Sequence, residues 1–474
     1  MTRSQPTGPL AGAGFVLLVL AWAGVCTGAG SPAAAAEPEI LTLDEAIEIA
    51  LAGNPVLAAE DAAARAAEQT ARESRAARWP TVRVTTDATR TTNPVAVFGQ
   101  LLTQEEFGQE NFAVDSLNNP DPLTNVRGVL SVSQPLWAGG RIDAGIEGAE
   151  RRAEAALSGR ERARQELVYR VTDRYTGAVV TGQAVAVRRE GLEVARESVK
   201  LTRDLYEAGL VVESDLLQAQ VRESEAEAAL ADAEKNAGVA RAALNLELGR
   251  PLDTPMALPP RVEPMEPAAP ADAPLEALLA EAAEQRPDLR AARARVEAAR
   301  AGLRRARGDR LPEIGWSGAF EADSEEPFDD PGSNWTVGVG LRWTAFDGFA
   351  TGARVERARA ELERAERLAE QAARGVALEV ESALEELQTA RLRWQEARRA
   401  VELAERSAAI VRDRYQEGLT TVVELLQAQT LTTGSRVREL AARRDLVLAR
   451  AGLALAAGRA PAAPGEAGEE GGDR

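Results

Sequence analysis

The octapeptide RDLYEAGL, from Arg203 to Leu210, recurs as RDRYQEGL from Arg412 to Leu419. The tetrapeptide LQAQ follows both copies, at 217–220 and at 426–429, so both pairs of matches share one offset of 209 residues. This offset is far longer than the period of a solenoid repeat, which is roughly 20–50 residues. We therefore interpret the chain as the duplication of one structural half.

Matches earlier in the two halves have a different offset. Pro55 aligns with Pro287 at a distance of 232 residues, whereas Trp137 aligns with Phe346 at a distance of 209. The first half therefore carries 23 additional residues, which lie between Pro80 and Trp137. The halves are predicted to span 37–250 and 275–460.

Two stretches without proline, 136–250 and 332–460, predict very long helices. Proline inside a helix costs about 3 kcal/mol, and these stretches are rich in Ala, Glu, Arg, Leu and Gln, which favour helix. Gly209 and Gly418 suit the left-handed residue that ends a helix. The pattern predicts two antiparallel hairpins, with long helices at 141–208, 213–249, 350–417 and 422–457. The longest would extend about 100 Å.

Four short segments before the long helices read as strands. Apolar and polar residues alternate without a fault from Trp335 to Trp343, and the runs have the length of a tilted transmembrane strand. The Ala-rich helices offer little large apolar surface to cover such a face, which disfavours a soluble sheet. The predicted strands lie at about 81–90, 126–136, 313–322 and 334–344, and the connections 91–125 and 323–334 are expected to be exposed.

Four strands do not close a barrel. In lipid, an open sheet edge leaves backbone groups unpaired at a cost of several kcal/mol each, so copies of the chain must share one barrel. Two copies would supply eight strands and three copies twelve. The predicted fold class is therefore mainly α with membrane β: a duplicated helical-hairpin protomer that contributes four strands to a shared β-barrel.

The N-terminal segment predicts export. The apolar run 15–25 has the length of a signal-peptide core, and Ala34-Ala35-Ala36 supplies a cleavage site, so we predict a signal peptide at 1–36. The alternative is lipidation of Cys26, although Val25 before it is bulkier than a lipidation motif favours. At the other end, 461–474 is a low-complexity tail. The Pro-rich segment 251–274 is interpreted as a connector between the halves.

Composition excludes several functional classes. The formal charge of −18 argues against a nucleic-acid partner, since there is no basic excess to neutralise phosphates. The chain has no histidine and one cysteine, Cys26, so the usual zinc sites, imidazole bases and thiol nucleophiles are largely excluded. Phosphate-binding loops and hydrolase elbows do not occur either. We therefore expect no enzyme activity, no cofactor and no metal site.

The duplication, the order of strands and long helices, and the repeated Tyr-x-x-Gly-Leu before D/E-L-L-x-A resemble the TolC-like outer-membrane factor family, over about 41–459. The resemblance implies a homotrimer with a twelve-stranded barrel in outer-membrane lipid and a helical tunnel across the periplasm. It also implies a periplasmic membrane-fusion adaptor and an inner-membrane pump as partners, in drug efflux, metal efflux or type I secretion. The adaptor-docking tips would be Gly209, Leu210, Gly418 and Leu419.

The same resemblance assigns residues near the tips. Glu424 and Gln427 match the positions that line the closed aperture, where the family carries two carboxylates and this chain retains one. Tyr415 and Asp215 match positions that hold the tip shut. The basic partner expected two residues after Gly418 is replaced by Thr420. The sequence therefore predicts a carboxylate ring at the aperture and a modified closure.

A periplasmic coiled-coil adaptor or scaffold is the rival interpretation. It explains the helical hairpins but not two strand pairs of membrane length at matching points of both halves. Adaptors also carry glycine-rich β domains beside a single hairpin, and this sequence has none. An outer-membrane channel is the favoured interpretation.

Overall fold

A computed structural model describes residues 40–261, 274–327 and 330–460. The predicted signal peptide 1–36, the tail 461–474 and residues 262–273 of the predicted connector lie outside the described residues. The described chain consists of ten α-helices, a short 3-10 helix at Gln109–Phe112 and one four-stranded sheet. None of its helices is both long and apolar enough to cross a membrane.

Two pairs of long helices dominate the chain, and each pair is joined by a tight turn. The helices are α1 Leu43–Gly53, α2 Pro55–Ala76, α3 Pro94–Thr103, α4 Val114–Asn118, α5 Arg141–Glu207, α6 Glu213–Glu247, α7 Leu275–Gln285, α8 Pro287–Gly308, α9 Ala350–Gln416 and α10 Val422–Ala456. The strands are β1 Thr81–Thr91, β2 Leu123–Trp137, β3 Glu313–Ser324 and β4 Gly332–Arg342.

The element boundaries repeat with the offsets read from the sequence. Helices α5 and α9 both have 67 residues, and α6 and α10 both have 35. Helices α1 and α7 have 11 residues each, and α2 and α8 have 22. The two halves therefore contain the same series of helices, and the main difference is the segment between β1 and β2.

The structure contains helices that the sequence analysis did not identify. Helices α1, α2, α7 and α8 precede the strands of each half, and α2 and α8 pack along α5. Proline is the first residue of both α2 and α8, a position that needs no backbone donor. Most residues of the connection 91–125 are exposed or half-buried, but it also contains α3, the 3-10 helix and α4, which the sequence did not predict.

Each hairpin turns at a glycine in the left-handed region. Gly209 has φ of 75° and Gly418 has φ of 72°, a conformation that side chains with a Cβ adopt only under strain. Beyond the second turn, Thr421 caps α10 by accepting a hydrogen bond from the backbone N–H of Glu424. The turns therefore have fixed geometry, and they place the start of α6 and of α10 directly beside the helix that precedes each.

The core is made of small and medium side chains where helices cross. In the first half it includes Leu167 and Val171 of α5 and Leu244 of α6, all at most 1% exposed. The hydroxyl of Tyr175 donates to the carbonyl of Leu41 at 2.9 Å, which ties the chain before α1 to α5. A matching cluster in the second half joins α7, α9 and α10.

Equivalent positions 232 residues apart fasten the kink between short helices to the end of a long hairpin. Asn54, between α1 and α2, donates to the carbonyl of Glu247 at 2.9 Å. Arg286, between α7 and α8, donates to the carbonyl of Ala456 at 3.2 Å and is 1% exposed. Its guanidinium also pairs with Asp288 and Glu379, each at 2.6 Å. The same junction is therefore built with an amide in one half and an ion pair in the other.

Replacing Arg286 with Ala is expected to destabilise the second half by about 2 kcal/mol, because it removes a buried donor and leaves the half-buried carboxylate of Asp288 without its partner. The denaturation midpoint followed by helical circular dichroism measures the loss. Arg286→Asn, which installs the residue of the first half, is the matched control and should lose less. Equal losses in the two variants would contradict the assigned role of the guanidinium.

The loss should also depend on pH. Burial opposes ionisation of Asp288, but the hydrogen bonds and charge of Arg286 outweigh it, so the pKa of Asp288 lies below its ordinary 3.8. A pKa lowered by folding contributes stability above the unfolded value and loses it as the pH falls through the folded value. The difference between wild type and Arg286→Ala is therefore expected at neutral pH and should shrink below about pH 3.8.

Candidate functional site

The four strands form an antiparallel sheet in the order β1-β2-β3-β4. Its register places one row of partners, Val84, Leu130, Phe320 and Trp335, side by side across all four strands. The next rows on this face add Val82, Val337, Trp316 and Val339. Because registered rows repeat every second residue, most of the large apolar residues of the four strands share this face.

This apolar face is open within the protomer. Trp335 is 74% exposed and Val339 is 72% exposed, and no helix of the described chain covers them. Exposed apolar patches of this extent mark a surface that meets another protein or a membrane. Eleven or more residues per strand match the length needed to cross the hydrocarbon core at a tilt.

The opposite face of the sheet is polar. Arg127 of β2 binds both carboxylate oxygens of Glu321 on β3, at 2.5 and 2.9 Å. Asn125 donates to Asp323 at 2.6 Å on the same face. Apolar residues on one face and polar residues on the other are the pattern of a transmembrane barrel wall, with lipid outside and water inside.

The two outer strands each have a free edge. Among the described strands, β1 pairs only with β2, and β4 pairs only with β3. The backbone donors and acceptors along those edges have no strand beside them in the described part of the chain. In lipid such an edge is costly, so the sheet is complete only when further strands join it.

The predicted aperture residues lie at the far end of the long helices. Glu424 and Gln427 are both exposed on the first turns of α10, and the hydroxyl of Thr420 donates to the Glu424 carboxylate. Within the described part of the chain, Thr420 therefore binds the Glu424 carboxylate from the position where the family resemblance predicts a basic residue. Gly209, Leu210, Gly418 and Leu419 are all exposed at the two turns.

Tyr415 and Asp215 are not brought together within one protomer. Tyr415 is 3% exposed, and its hydroxyl lies 3.1 Å from the hydroxyl of Thr202 on α5. No hydrogen bond or ion pair joins it to Asp215 in the described part of the chain. Val422 and Leu425 pack around the buried ring. Tyr415 therefore fixes the second hairpin against the first.

Several contacts between the hairpins were missed in the sequence. Gln429 on α10 donates to Ser198 on α5 at 2.8 Å, and Arg436 on α10 pairs with Glu190 on α5 at 2.8 Å. Arg436 also pairs with Glu405 on α9, within its own hairpin, at 2.7 Å. Hydrogen bonds to Glu190, and then to Glu405, raise the pKa of Arg436 although burial opposes this. In sequence these residues look like ordinary polar positions of a solvated helix, and only the packing of α10 on α5 pairs them.

No group of three or more acidic, histidine or cysteine side chains suited to a metal ion occurs within residues 40–261, 274–327 and 330–460. The described residues form a sheet with one apolar and one polar face, and this sheet is joined to helices several times longer than those of a compact domain. The fold and the sheet together define the protomer of a membrane channel with a long helical extension. In a water-soluble periplasmic scaffold this apolar sheet face would be exposed to water, which is unfavourable.

Residues 46–250 and 278–459 match the profile of the outer membrane efflux protein family. The chain belongs to this family, which is one of channel proteins. It is 30% identical to protein CyaE of Bordetella pertussis over 341 residues, which are 71% of this chain and 72% of CyaE. The alkaline protease secretion protein AprF of Pseudomonas aeruginosa is 29% identical over 235 residues, 47% of this chain and 46% of AprF.

The fold agrees with solved channels at low sequence identity. The CmeC outer membrane channel of Campylobacter jejuni superposes with a TM-score of 0.76 at 17% identity, covering 88% of this chain and 85% of CmeC. The predicted fold class is thereby confirmed, as are the outer-membrane location and the periplasmic position of the helical part. The protein is an outer-membrane channel component of the efflux and secretion type.

Tyr415→Phe is expected to loosen the contact between the two hairpins, because Thr202 loses its buried partner at a cost of about 1 kcal/mol. Amide hydrogen exchange across 411–426 should accelerate. Tyr206→Phe is the matched control, since Tyr206 occupies the same position of the first hairpin and is 41% exposed. Unchanged exchange in Tyr415→Phe would show that the hydroxyl pair does not hold this region.

Proposed function

We propose that three copies of the chain close a twelve-stranded barrel in the outer membrane and a helical conduit below it. The observation that carries the proposal is the four-stranded sheet with one apolar face and two unpaired edges. In an antiparallel order, β1 and β4 run in opposite directions, so β4 of one copy fits β1 of the next as a further antiparallel pair. Three copies give twelve strands, and the resemblance to trimeric channels favours this number over two.

The long helices carry a matching surface for neighbouring copies. Exposed apolar residues recur along α9 at spacings close to multiples of 3.5 residues, the spacing of a helix–helix contact. They are Leu368, Leu378, Leu392, Leu403 and Ile410, and α6 carries Leu217, Val221, Val239 and Leu246. Because these residues have no cover within the protomer, they support packing of α6 of one copy beside α9 of the next.

The turns between long helices would dock the rest of the transport machine. Leu210 is 72% exposed and Leu419 is 62% exposed beside the two rigid glycines. The leucine side chains, together with Gly209 and Gly418, form the surface on which a periplasmic membrane-fusion adaptor would bind. An inner-membrane pump would bind to that adaptor. AprF, by its name, serves secretion of alkaline protease, and a relative from Brucella suis is named outer membrane efflux protein BepC. The conduit is accordingly assigned to efflux or type I secretion.

The membrane assembly is tested by two substitutions at adjacent residues. Val337→Arg places a charge on the lipid face and should cost roughly 2–4 kcal/mol near the bilayer centre. Thr336→Arg, the matched control, lies on the polar face. The first variant should lose the detergent-extracted species of three protomer masses that collapses on boiling, and the control should retain it.

A detergent-independent soluble species in the unsubstituted protein would contradict the proposal, because the sheet would then not lie in lipid. A stable species of two protomer masses would contradict the trimer and would leave an eight-stranded barrel.

We also propose that Glu424 lines the periplasmic aperture. In a trimer, its three copies would surround the axis and attract cations. Glu424→Gln is expected to reduce cation selectivity in planar bilayers, while Glu417→Gln, an exposed carboxylate on the preceding turn, should have little effect. Unchanged selectivity and current in Glu424→Gln would remove Glu424 from the aperture. Gln427, one turn further along α10, would line the next level.

A further inference from the structure

The segment between β1 and β2 contains a helix that crosses the whole sheet. Gln100 of α3 donates to the hydroxyl of Thr89 on β1 at 3.2 Å. Gln104, the residue after α3, donates to Asn125 on β2 at 2.8 Å, and Glu105 accepts from the backbone of Ser333 on β4 at 3.3 Å. Contacts of α3 with β2, β3 and β4 also place the helix across several strands of the sheet.

This helix lies on the polar face. Thr89, Asn125 and Asp323 are register partners or near neighbours on the face opposite Val84 and Leu130. The hydrogen bond between Gln104 and Asn125 is buried, because the two residues are each 4% exposed. A Cβ on Gly332 would stand 2.1 Å from the carbonyl oxygen of Thr103, so only glycine fits there. The helix is therefore fixed across the end of the sheet on the side that faces water in a closed barrel.

That end is the outer mouth. The long helices leave β2 and β4 at the opposite end of the strands, toward the periplasm. A barrel of twelve strands spaced about 4.8 Å and tilted by about 40° has a backbone radius of roughly 12 Å. A helix packed on the inner wall occupies about 10 Å of that radius. Three copies of α3 therefore reach the barrel axis.

The far side of α3 is apolar and uncovered. Val95, Gly99 and Leu102 lie at positions i, i+4 and i+7, which share one face of a helix. Val95 is 82% exposed, Leu102 is 50% exposed, and a Cβ on Gly99 would have nothing within 4 Å. An apolar face directed into a watery lumen is unfavourable unless it meets another apolar surface.

We propose that the α3 helices of three copies meet through Val95, Gly99 and Leu102 and close the outer mouth of the channel. The apolar face of each α3 helix therefore packs against the same face of α3 in the neighbouring copies. The segment between β1 and β2 then forms a second constriction, separate from the periplasmic tip. This constriction limits the size of the solutes that leave the conduit. The inference rests on the proposed trimer.

Cross-linking tests the contact directly. Leu102→Cys is expected to form covalent dimers on mild oxidation, because three thiols around one axis pair two at a time. Asn118→Cys, on α4 of the same segment and exposed, is the matched control, and the unsubstituted chain gives the background from Cys26. If both variants form the heat-sensitive trimer but Leu102→Cys cross-links no more than Asn118→Cys, the contact between α3 helices is overturned and the trimer stands. Loss of the trimer in the unsubstituted chain would refute the proposed function instead.

Access from outside the cell tests the closure. Thr336 faces the lumen on β4 and is exposed in the protomer, so Thr336→Cys reports entry past α3. A bulky polyethylene glycol maleimide should label it at least about tenfold more slowly than a small maleimide, since α3 must open first. Adding Leu102→Glu, which places three carboxylates together, should remove most of that difference, whereas adding Asn118→Glu should not. Equal labelling by both reagents without Leu102→Glu would overturn the closure.

Discussion

The structure depends on the unpaired backbone at the two edges of its sheet. In water the N–H and C=O groups along β1 and β4 would bind solvent, but in lipid they have no partner, and each unpaired group costs several kcal/mol. The register also sends Trp335, Val337 and Val339 to one exposed face. A single chain in lipid would therefore leave two sheet edges without backbone partners. In the proposed shared barrel, strands of neighbouring copies would pair with these edges, lipid would cover the apolar face and the polar face would line the interior.

The duplication fixed the architecture while residues at equivalent positions diverged. Asn54 and Arg286 make the same bond to the end of a long hairpin, with an amide in one case and a guanidinium in the other. Tyr206 and Tyr415 end equivalent helices, yet the first is exposed and the second is buried against Thr202. Their surroundings differ because α10 packs on α5 inside the protomer. One ancestral hairpin thus supplies two helical tips with different contacts.

Small side chains set the character of the helical part. Ala, Gly and Ser let the long helices approach closely but bury little apolar area each, at about 25 cal/mol per Å². The register of α10 on α5 then relies on polar pairs such as Gln429 with Ser198 and Arg436 with Glu190. Polar pairs between partly exposed side chains contribute less stability than a large apolar core, so the packing of α10 on α5 rests on many small contributions.

The sequence by itself determined the duplication, the long helices and the strands, because glycine, proline and alternation act locally on the backbone. It did not reveal α1, α2, α7 and α8, nor the helix α3 within the expected loop, since these short elements are stabilised mainly by what they pack against. Gly209 and Gly418 could be read as turns, and Glu424 was placed beside one of them. The pairing of Tyr415 with Thr202 and the crossing of the sheet by α3 were decided only by tertiary structure, because both join residues distant in sequence whose side chains show no local pattern.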